Sequence, residues 1–296
     1  SDSSLIKLKK TGAQWVQIVP TQYLANPESH EIFSTENTVT DQSLRYVIVM
    51  AHNLGLKVFL KPHLDLYKGW CGQLMPRNME AWWKNYTNFI LHYANIAREL
   101  KVEMFCIGAE LEILTKEDYT EYWRVIIREV RKVFPGQLVY AANHTEYKHV
   151  QFWDELDIIG IDAYFTIIPA QKKHPILLPD PTFHEIINGW KKWYPKLARF
   201  SHKLGKPVLF TEIGYCSEQA TSTKPWGHSG TKVVDLQEQA DCYRAVFEVF
   251  WDRPWFKGIF WWRWYITPKE IVANDLGPSP QGKPAEKVIT YYYKMK

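Results

Sequence analysis

The chain alternates between strand patterns and helix patterns along almost its whole length, and this alternation constrains its fold more than any other feature. Seven mostly apolar runs are typical of strands, and they span residues 13–21, 57–65, 102–112, 137–144, 156–165, 206–215 and 258–266. Helical patterns separate them, of which the clearest runs from Met79 to Leu100 with apolar residues at helical spacing. Strands that are apolar throughout and separated by helices indicate a parallel sheet covered on both faces. The sequence therefore predicts an α/β protein.

Polar side chains collect at the carboxyl ends of these runs. They are Lys61, His63 and Asp65; Glu110 and Glu112; Asn143 and His144; Asp162 and Tyr164; Glu212; and Arg263. The active site of a (β/α)8 TIM barrel lies at this face. A doubly wound sheet also binds ligands there, but no G-x-G-x-x-G follows a strand and no G-x-x-x-x-G-K-[ST] occurs. We predict one catalytic (β/α)8 barrel domain over residues 1–296.

The number of strand patterns is one short of a closed barrel of eight. The chain opens on a short helical pattern at residues 4–10, and the first strand pattern follows at 13–21. We therefore expect the absent unit to be the first strand, at the N-terminus. A gap of one strand would leave two unpaired sheet edges.

Composition excludes several functional classes. Hydrophobic residues make up 46% of the chain and charged residues 23%, which is typical of a globular protein. No window approaches the ~18 consecutive apolar residues of a membrane-spanning helix. The net charge of +4 is too weak to indicate nucleic-acid binding, and the four cysteines include no C-x-x-C pair. We expect a monomer with no nucleic acid, membrane, metal or cofactor, and the compartment stays open because no signal peptide is visible.

Two glutamates dominate the strand ends. Glu110 follows the apolar run FCIGA, and Glu212 follows VLFT three strand patterns later. A carboxylate there is costly to desolvate unless it is paired or used. In a closed barrel, residues three strands apart face each other across the mouth, and facing carboxylates perform glycoside hydrolysis. The alternative is that each glutamate forms an ion pair at the mouth, with Lys61 or Arg263.

At these same strand ends the sequence resembles glycoside hydrolase family 113. The motifs are AHNLGLKVFLKPH (51–63) with KPHLD (61–65), GAELE (108–112), IGIDAYF (159–165), TEIGY (211–215) and FWWRW (260–264). The resemblance covers roughly residues 5 to 265 and implies that the absent strand is the family's first. It also implies a retaining (β/α)8 enzyme. Because characterised members are β-1,4-mannanases, it further implies endo-acting hydrolysis of β-mannan or manno-oligosaccharides.

The resemblance assigns roles to both glutamates. Glu110 matches the acid/base and Glu212 the nucleophile, with Glu112 as a rival acid/base if its strand continues. Tyr164 matches a tyrosine that the related enzymes place near the nucleophile. Ala109 stands where they usually have an asparagine that contacts the sugar 2-hydroxyl, and Asn143 is a candidate to supply that contact.

Several other strand-end and loop residues are candidates for binding sugar. The full candidate set is Lys61, His63, Asp65, Trp70, Asn143, Asp162, Tyr164, Trp226, Trp261 and Trp262. Neighbouring strand residues point opposite ways, so only one of Trp261 and Trp262 faces the mouth, and we favour Trp262. Trp70 and Trp226 are sugar platforms or loop anchors, and Asp162 is a sugar ligand or the partner of a basic group. His63-x-Asp65 lacks a third ligand for a metal.

Other functions stay open at this point. A second enzymatic interpretation is another activity of the same clan, such as an exo-mannosidase, a different β-glycosidase or a transglycosylase. A third is a barrel that binds glycans without cutting them, which Ala109 and the absent strand would suit. A serine hydrolase is disfavoured because Ser229 in GHSG lacks the G-x-S-x-G elbow.

Overall fold

The computed structural model describes residues 2–169, 180–266 and 275–295. The helices are α1 (Asp2–Lys10), α2 (Asp41–Asn53), α3 (Met79–Glu99), α4 (Thr120–Val133), α5 (Phe183–Leu204), α6 (Leu236–Phe250) and α7 (Pro284–Lys294). The strands are β1 (Trp15–Ile18), β2 (Thr21–Leu24), β3 (Lys57–Leu60), β4 (His63–Leu66), β5 (Met104–Ala109), β6 (Gln137–Asn143), β7 (Ile158–Asp162), β8 (Val208–Ile213) and β9 (Phe256–Trp261). The chain forms two compact units, Gln14–Asp162 and Ser1–Ala13 with Ala163–Lys296.

The unit Gln14–Asp162 contains a parallel sheet in the order β1-β3-β5-β6-β7. Helix α2 packs on β3, and helices α3 and α4 pack on β5 and on each other. The predicted helical stripe of α3 is buried, with Trp82, Trp83, Tyr86, Phe89 and Tyr93 in the core. These large rings supply much of the apolar area that the sheet buries.

Two of the predicted strands are shorter than expected, because each ends before a proline. The run 13–21 stops at β1, and the run 57–65 stops at β3; β2 and β4 begin just after Pro20 and Pro62. Proline has no N–H to donate to a strand ladder. After this break β2 and β4 pair with each other as a separate parallel two-stranded sheet, in which Thr21 lies opposite His63.

The second unit contains β8 and β9, which pair in parallel, and helix α6 contacts both α5 and α7. Its core is also aromatic: Trp190 packs on Phe210 and Phe250, and the ring of Phe247 stacks on Tyr292 at 4.5 Å. Six of the seven predicted strand runs contain one of the strands β1, β3 and β5 to β8, and the run 258–266 overlaps β9. Across the described ranges, no helix has the length and apolarity needed to cross a bilayer.

Candidate active site

Glu110 is the first residue after β5, and its backbone turns sharply there. Its φ angle of 52° lies in the left-handed region, which costs a residue with a side chain on the order of 1–3 kcal/mol and persists only where the surroundings enforce it. The Glu110 N–H donates to the carbonyl of Ala141 at 2.9 Å, which ties the turn to β6. The chain then enters a 3₁₀ helix, Glu112–Thr115.

Both carboxylate oxygens of Glu110 accept a hydrogen bond. Asn143, the last residue of β6, donates from Nδ2 to Oε1 at 2.8 Å, and the Trp70 indole N–H donates to Oε2 at 3.0 Å. The two donors approach from different elements, so they fix the orientation of the carboxyl group. The structure therefore brings together three of the predicted site residues.

Glu112 does not lie on the continuing strand that its role as a rival acid/base requires. β5 ends at Ala109, and Glu112 begins the 3₁₀ helix. Its Oε2 accepts from Thr145 Oγ1 at 3.0 Å. The left-handed turn at Glu110 breaks the alternation that would have put both glutamates on one face.

Trp70 is both a partner of Glu110 and partly open to solvent, with 38% of its surface exposed. Its ring lies directly over Gly72, where an added Cβ would come within 2.4 Å of the ring. Glycine is therefore needed at position 72 for the indole to lie where it does. Trp70 is thus anchored at its N–H edge, and the exposed remainder of its ring is available to a ligand.

The thiol of Cys71 lies beneath this site. Its Sγ is 3.8 Å from the carbonyl oxygen of Glu110. Burial, and then the nearby charge of Glu110, raise the pKa of Cys71 well above its usual value. The thiol is therefore neutral and serves as apolar packing rather than as a nucleophile.

Glu212 lies near the end of β8 and is 9% exposed. The hydroxyl of Tyr164 donates to its Oε2 at 3.0 Å, and the N–H of Ala163 donates to its backbone carbonyl at 2.6 Å. The predicted contact between Tyr164 and Glu212 is therefore present. The Tyr164 hydroxyl thus fixes the position of one oxygen of the Glu212 side chain.

The predicted sugar-binding residues Lys61 and Asp162 form a buried pair. Lys61 Nζ lies 3.0 and 2.9 Å from the two carboxylate oxygens of Asp162, and the two side chains are 0% and 1% exposed. Lys61 follows β3 directly and Asp162 ends β7. A buried pair with no exposed surface has nothing to offer a ligand, so of the two predicted roles for Asp162 the structure favours the partner of a basic group.

His63 and Asp65 lie on the same side of β4, because Leu64 and Leu66 alternate with them and are buried. Asp65 is exposed and its Oδ1 accepts from the Leu66 N–H at 2.9 Å. His63 is half-buried. Both stay predictions for sugar binding.

Trp261, which ends β9, and Trp262, which follows it, differ in their surroundings. The Trp261 ring stacks on Tyr243 of α6 at 4.0 Å and packs on Phe247. It therefore contributes to the helix-facing core, and we withdraw Trp261 as a sugar-binding residue. Strand alternation points Trp262 the opposite way, so Trp262 stays a prediction. Trp226, which is 53% exposed in the loop after β8, also stays a prediction.

The model of glycoside hydrolase family 113 matches residues 1–276. The chain belongs to glycoside hydrolase family 113. A solved structure of a family 113 β-mannanase from Alicyclobacillus acidocaldarius, in complex with ManMIm, is 30% identical, with a TM-score of 0.86 over 99% of this chain and 91% of that one. A second, the complex of a family 113 β-1,4-mannanase, is 28% identical with a TM-score of 0.86 over 99% and 92%. Among curated proteins, none matches.

The family 113 chain is therefore a glycoside hydrolase, and its predicted (β/α)8 barrel fold class is confirmed. The seven strands β1, β3 and β5 to β9 in the described ranges agree with the predicted number. A β-glucuronidase from Ruminococcus gnavus shares the fold at 12% identity, with a TM-score of 0.64 over 99% of this chain and 46% of that one.

One buried acidic residue of this glycoside hydrolase was not predicted from the sequence. Glu146 follows β6, is 0% exposed, and accepts hydrogen bonds from Tyr140, Thr115 and the N–H of Asn143. Burial raises its pKa to about 7. The pattern Asn143-x-x-Glu146 at a strand end was the available signal, since an acidic residue three positions on often closes a turn.

Three carboxylates in the described part of the enzyme lie close enough together to hold a metal ion, namely Asp180, Asp235 and Glu238. Each already has a structural role. Asp235 caps α6 by accepting from the N–H of Glu238, Glu238 accepts from Ala220 and Ser222, and Asp180 accepts from Gln219. We assign no metal to this cluster.

Proposed function

We propose that this glycoside hydrolase is an endo-β-1,4-mannanase that cleaves β-mannan and manno-oligosaccharides with retention of configuration. Membership of family 113 supports this, together with the two β-mannanases that share 28–30% of its residues over nearly its whole length. The observation that carries the proposal is the Glu110 carboxyl group, which is held on both oxygens at the end of β5.

In the proposed first step Glu212 attacks the anomeric carbon, and the glycosidic C–O bond breaks. The leaving oxygen takes the proton of Glu110, and a covalent glycosyl-enzyme forms on Glu212. The Tyr164 hydroxyl fixes one oxygen of the Glu212 carboxylate and so orients it for attack. Asn143 and Trp70 orient the Glu110 carboxyl group toward the leaving oxygen.

In the second step Glu110, now ionised, takes a proton from water. The water oxygen attacks the anomeric carbon, the bond to Glu212 breaks, and Glu212 returns to its carboxylate form. Two displacements at one carbon restore the β configuration. A partly exposed aromatic ring such as Trp70 suits the flat apolar face of a mannose unit.

Two substitutions test the roles of the glutamates. Glu212→Ala should abolish turnover and keep the thermal unfolding temperature near that of the wild type. Glu112→Gln is the matched control, since it removes the charge of a neighbouring glutamate outside the proposed site and should keep activity. Wild-type activity in Glu212→Ala, or its loss in Glu112→Gln, would contradict the assignment.

Glu110→Ala tests the acid role through the leaving group. Proton transfer contributes roughly 10²- to 10⁴-fold to rate, so cleavage of manno-oligosaccharides should fall by about that factor. Substrates with a strongly acidic leaving group, such as dinitrophenyl β-mannosides, need no proton and should retain most of their first-step rate. An equal loss on both kinds of substrate would argue against an acid.

The length of the products separates endo from exo action. An endo-acting enzyme converts mannohexaose to a mixture of shorter oligosaccharides at early times. An exo-mannosidase releases mannose alone at first, and a transglycosylase gives products longer than the substrate. A time course of products by chromatography distinguishes the three.

A further inference from the structure

Glu146 is a fully buried carboxyl group that the proposed reaction does not use directly. It lies in the turn after β6, where its own N–H donates to the carbonyl of Asn143 at 2.9 Å. Its Oε2 accepts from the Asn143 N–H at 2.8 Å. Its Oε1 accepts from the hydroxyls of Tyr140 and Thr115, each at 2.6 Å. Three donors thus converge on a side chain that is 0% exposed.

Two of these donors lead from Glu146 to Glu110 by separate routes. Asn143 donates its N–H to Glu146 and its side-chain amide to Glu110 Oε1. The Tyr140 hydroxyl donates to Glu146 and accepts the N–H of Leu111, the residue after Glu110, at 2.9 Å. Glu146 therefore holds the side chain of Glu110 through Asn143, and it holds the backbone next to Glu110 through Tyr140.

The third donor, Thr115, connects Glu146 to the segment that follows Glu110. Thr115 ends the 3₁₀ helix that begins two residues after Glu110. Glu110 itself has a φ of 52°, a conformation that persists only where several contacts enforce it. Glu146 contacts Asn143 and Thr115 directly and Leu111 through Tyr140. This one carboxyl group therefore links these contacts, which hold Glu110 in its conformation.

The geometry suits a carboxyl group better than an amide. Oε2 faces the Asn143 N–H, and Oε1 faces the Tyr140 hydroxyl, which itself accepts from Leu111. Both oxygens therefore act as acceptors, and a glutamine in place of Glu146 would direct an NH₂ group at one of these donors.

We propose, on the basis of the function proposed above, that Glu146 is a positioning residue for the acid/base: it fixes Asn143 and Leu111 so that the Glu110 carboxyl group is aimed at the leaving oxygen. Glu146 does not touch the substrate in this account. It acts through Glu110 alone.

The primary test is Glu146→Gln, assayed on mannohexaose and on a dinitrophenyl β-mannoside. With mannohexaose, kcat should fall about 10- to 100-fold, the loss expected for a misaimed catalytic group, and KM should change by less than about 3-fold. With the dinitrophenyl substrate the loss in the first step should be much smaller, since that step needs no acid.

Glu238→Gln is the matched control. Glu238 is also a buried carboxyl group, 3% exposed, that accepts from two backbone N–H groups and one hydroxyl. Burial raises its pKa as well. This variant should lower the unfolding temperature by an amount similar to Glu146→Gln but leave kcat on mannohexaose and the leaving-group dependence where they are in the wild type.

Tyr140→Phe keeps the inference testable if Glu146→Gln fails to fold. It removes only the link from Glu146 to Leu111, and Glu146 keeps two donors. We expect the same preference for acidic leaving groups, with a loss on mannohexaose of about 3- to 10-fold.

The outcomes separate this inference from the proposed function. If the wild type and Glu110→Ala behave as proposed but Glu146→Gln loses activity equally on both substrates, or keeps the wild-type kcat, the positioning role is overturned. If Glu110→Ala itself shows no dependence on the leaving group, or the wild type cleaves neither substrate, the proposed function fails and the inference fails with it.

Discussion

Lys61→Met should destabilise the protein without directly weakening its binding of sugar. Lys61 Nζ lies 3.0 and 2.9 Å from the two oxygens of Asp162, and both side chains are essentially unexposed. Removing the lysine takes a charged partner from the buried Asp162 carboxylate, and breaking a buried pair in this way costs about 3–5 kcal/mol. Since 1 kcal/mol shifts the unfolding temperature of a chain of this size by roughly 2–4 °C, the expected fall is on the order of 10 °C.

Calorimetric unfolding of a double-mutant cycle measures this effect. Asp162→Asn should also be destabilising, because it removes the carboxylate that pairs with the buried charge of Lys61. The double variant Lys61→Met/Asp162→Asn should lose less stability than the sum of the two single variants, because it buries no unpaired charge. Kinetics well below the unfolding temperature should give a KM within about 3-fold of the wild type. A wild-type unfolding temperature with a tenfold rise in KM would refute the buried-pair account and return Lys61 to the sugar-binding residues.

Three further predictions concern side chains around the two glutamates. Tyr164→Phe removes the donor to Glu212 and should lower kcat about tenfold; steady-state rates on an aryl β-mannoside check this, and an unchanged rate would exclude an orienting role. Gly72→Ala places a Cβ within 2.4 Å of the Trp70 ring, so it should lower kcat as much as Trp70→Phe does, with no further loss in the double variant; additive losses would show that the two act separately. Trp261→Ala should cost about 3–5 kcal/mol of stability, measured by denaturant unfolding, whereas a specific rise in KM would show that this ring binds substrate.

The order of helices and strands could be predicted from the sequence because it depends on local periodicity. Apolar runs and helical stripes report burial directly, and all seven predicted strand runs contain or overlap a strand. We did not predict that two of these runs are each divided into two strands, although Pro20 and Pro62 mark the points of division. The pairing of β2 with β4 could not be predicted from the local sequence, because about forty residues of chain separate the two strands.

The site was predicted in part, for a similar reason. The local sequence places Glu110, Glu212 and Tyr164 at or just after the ends of strands. That Lys61 is paired with Asp162 depends on two strand ends 101 positions apart, which periodicity cannot align. Alternation predicted that only one of the two adjacent tryptophans could face the mouth, but choosing between them required the position of helix α6. The left-handed turn at Glu110 has no sequence signature, because glutamate seldom adopts it.

The measurement that most directly tests the central claim is the anomeric configuration of the first products from mannohexaose, followed by proton NMR for the wild type and Glu212→Ala. The account predicts short manno-oligosaccharides that appear first as the β anomer and drift to the equilibrium mixture, and no products from the variant. Products that appear first as the α anomer, or the same products from Glu212→Ala, would contradict a retaining mechanism with Glu212 as its nucleophile.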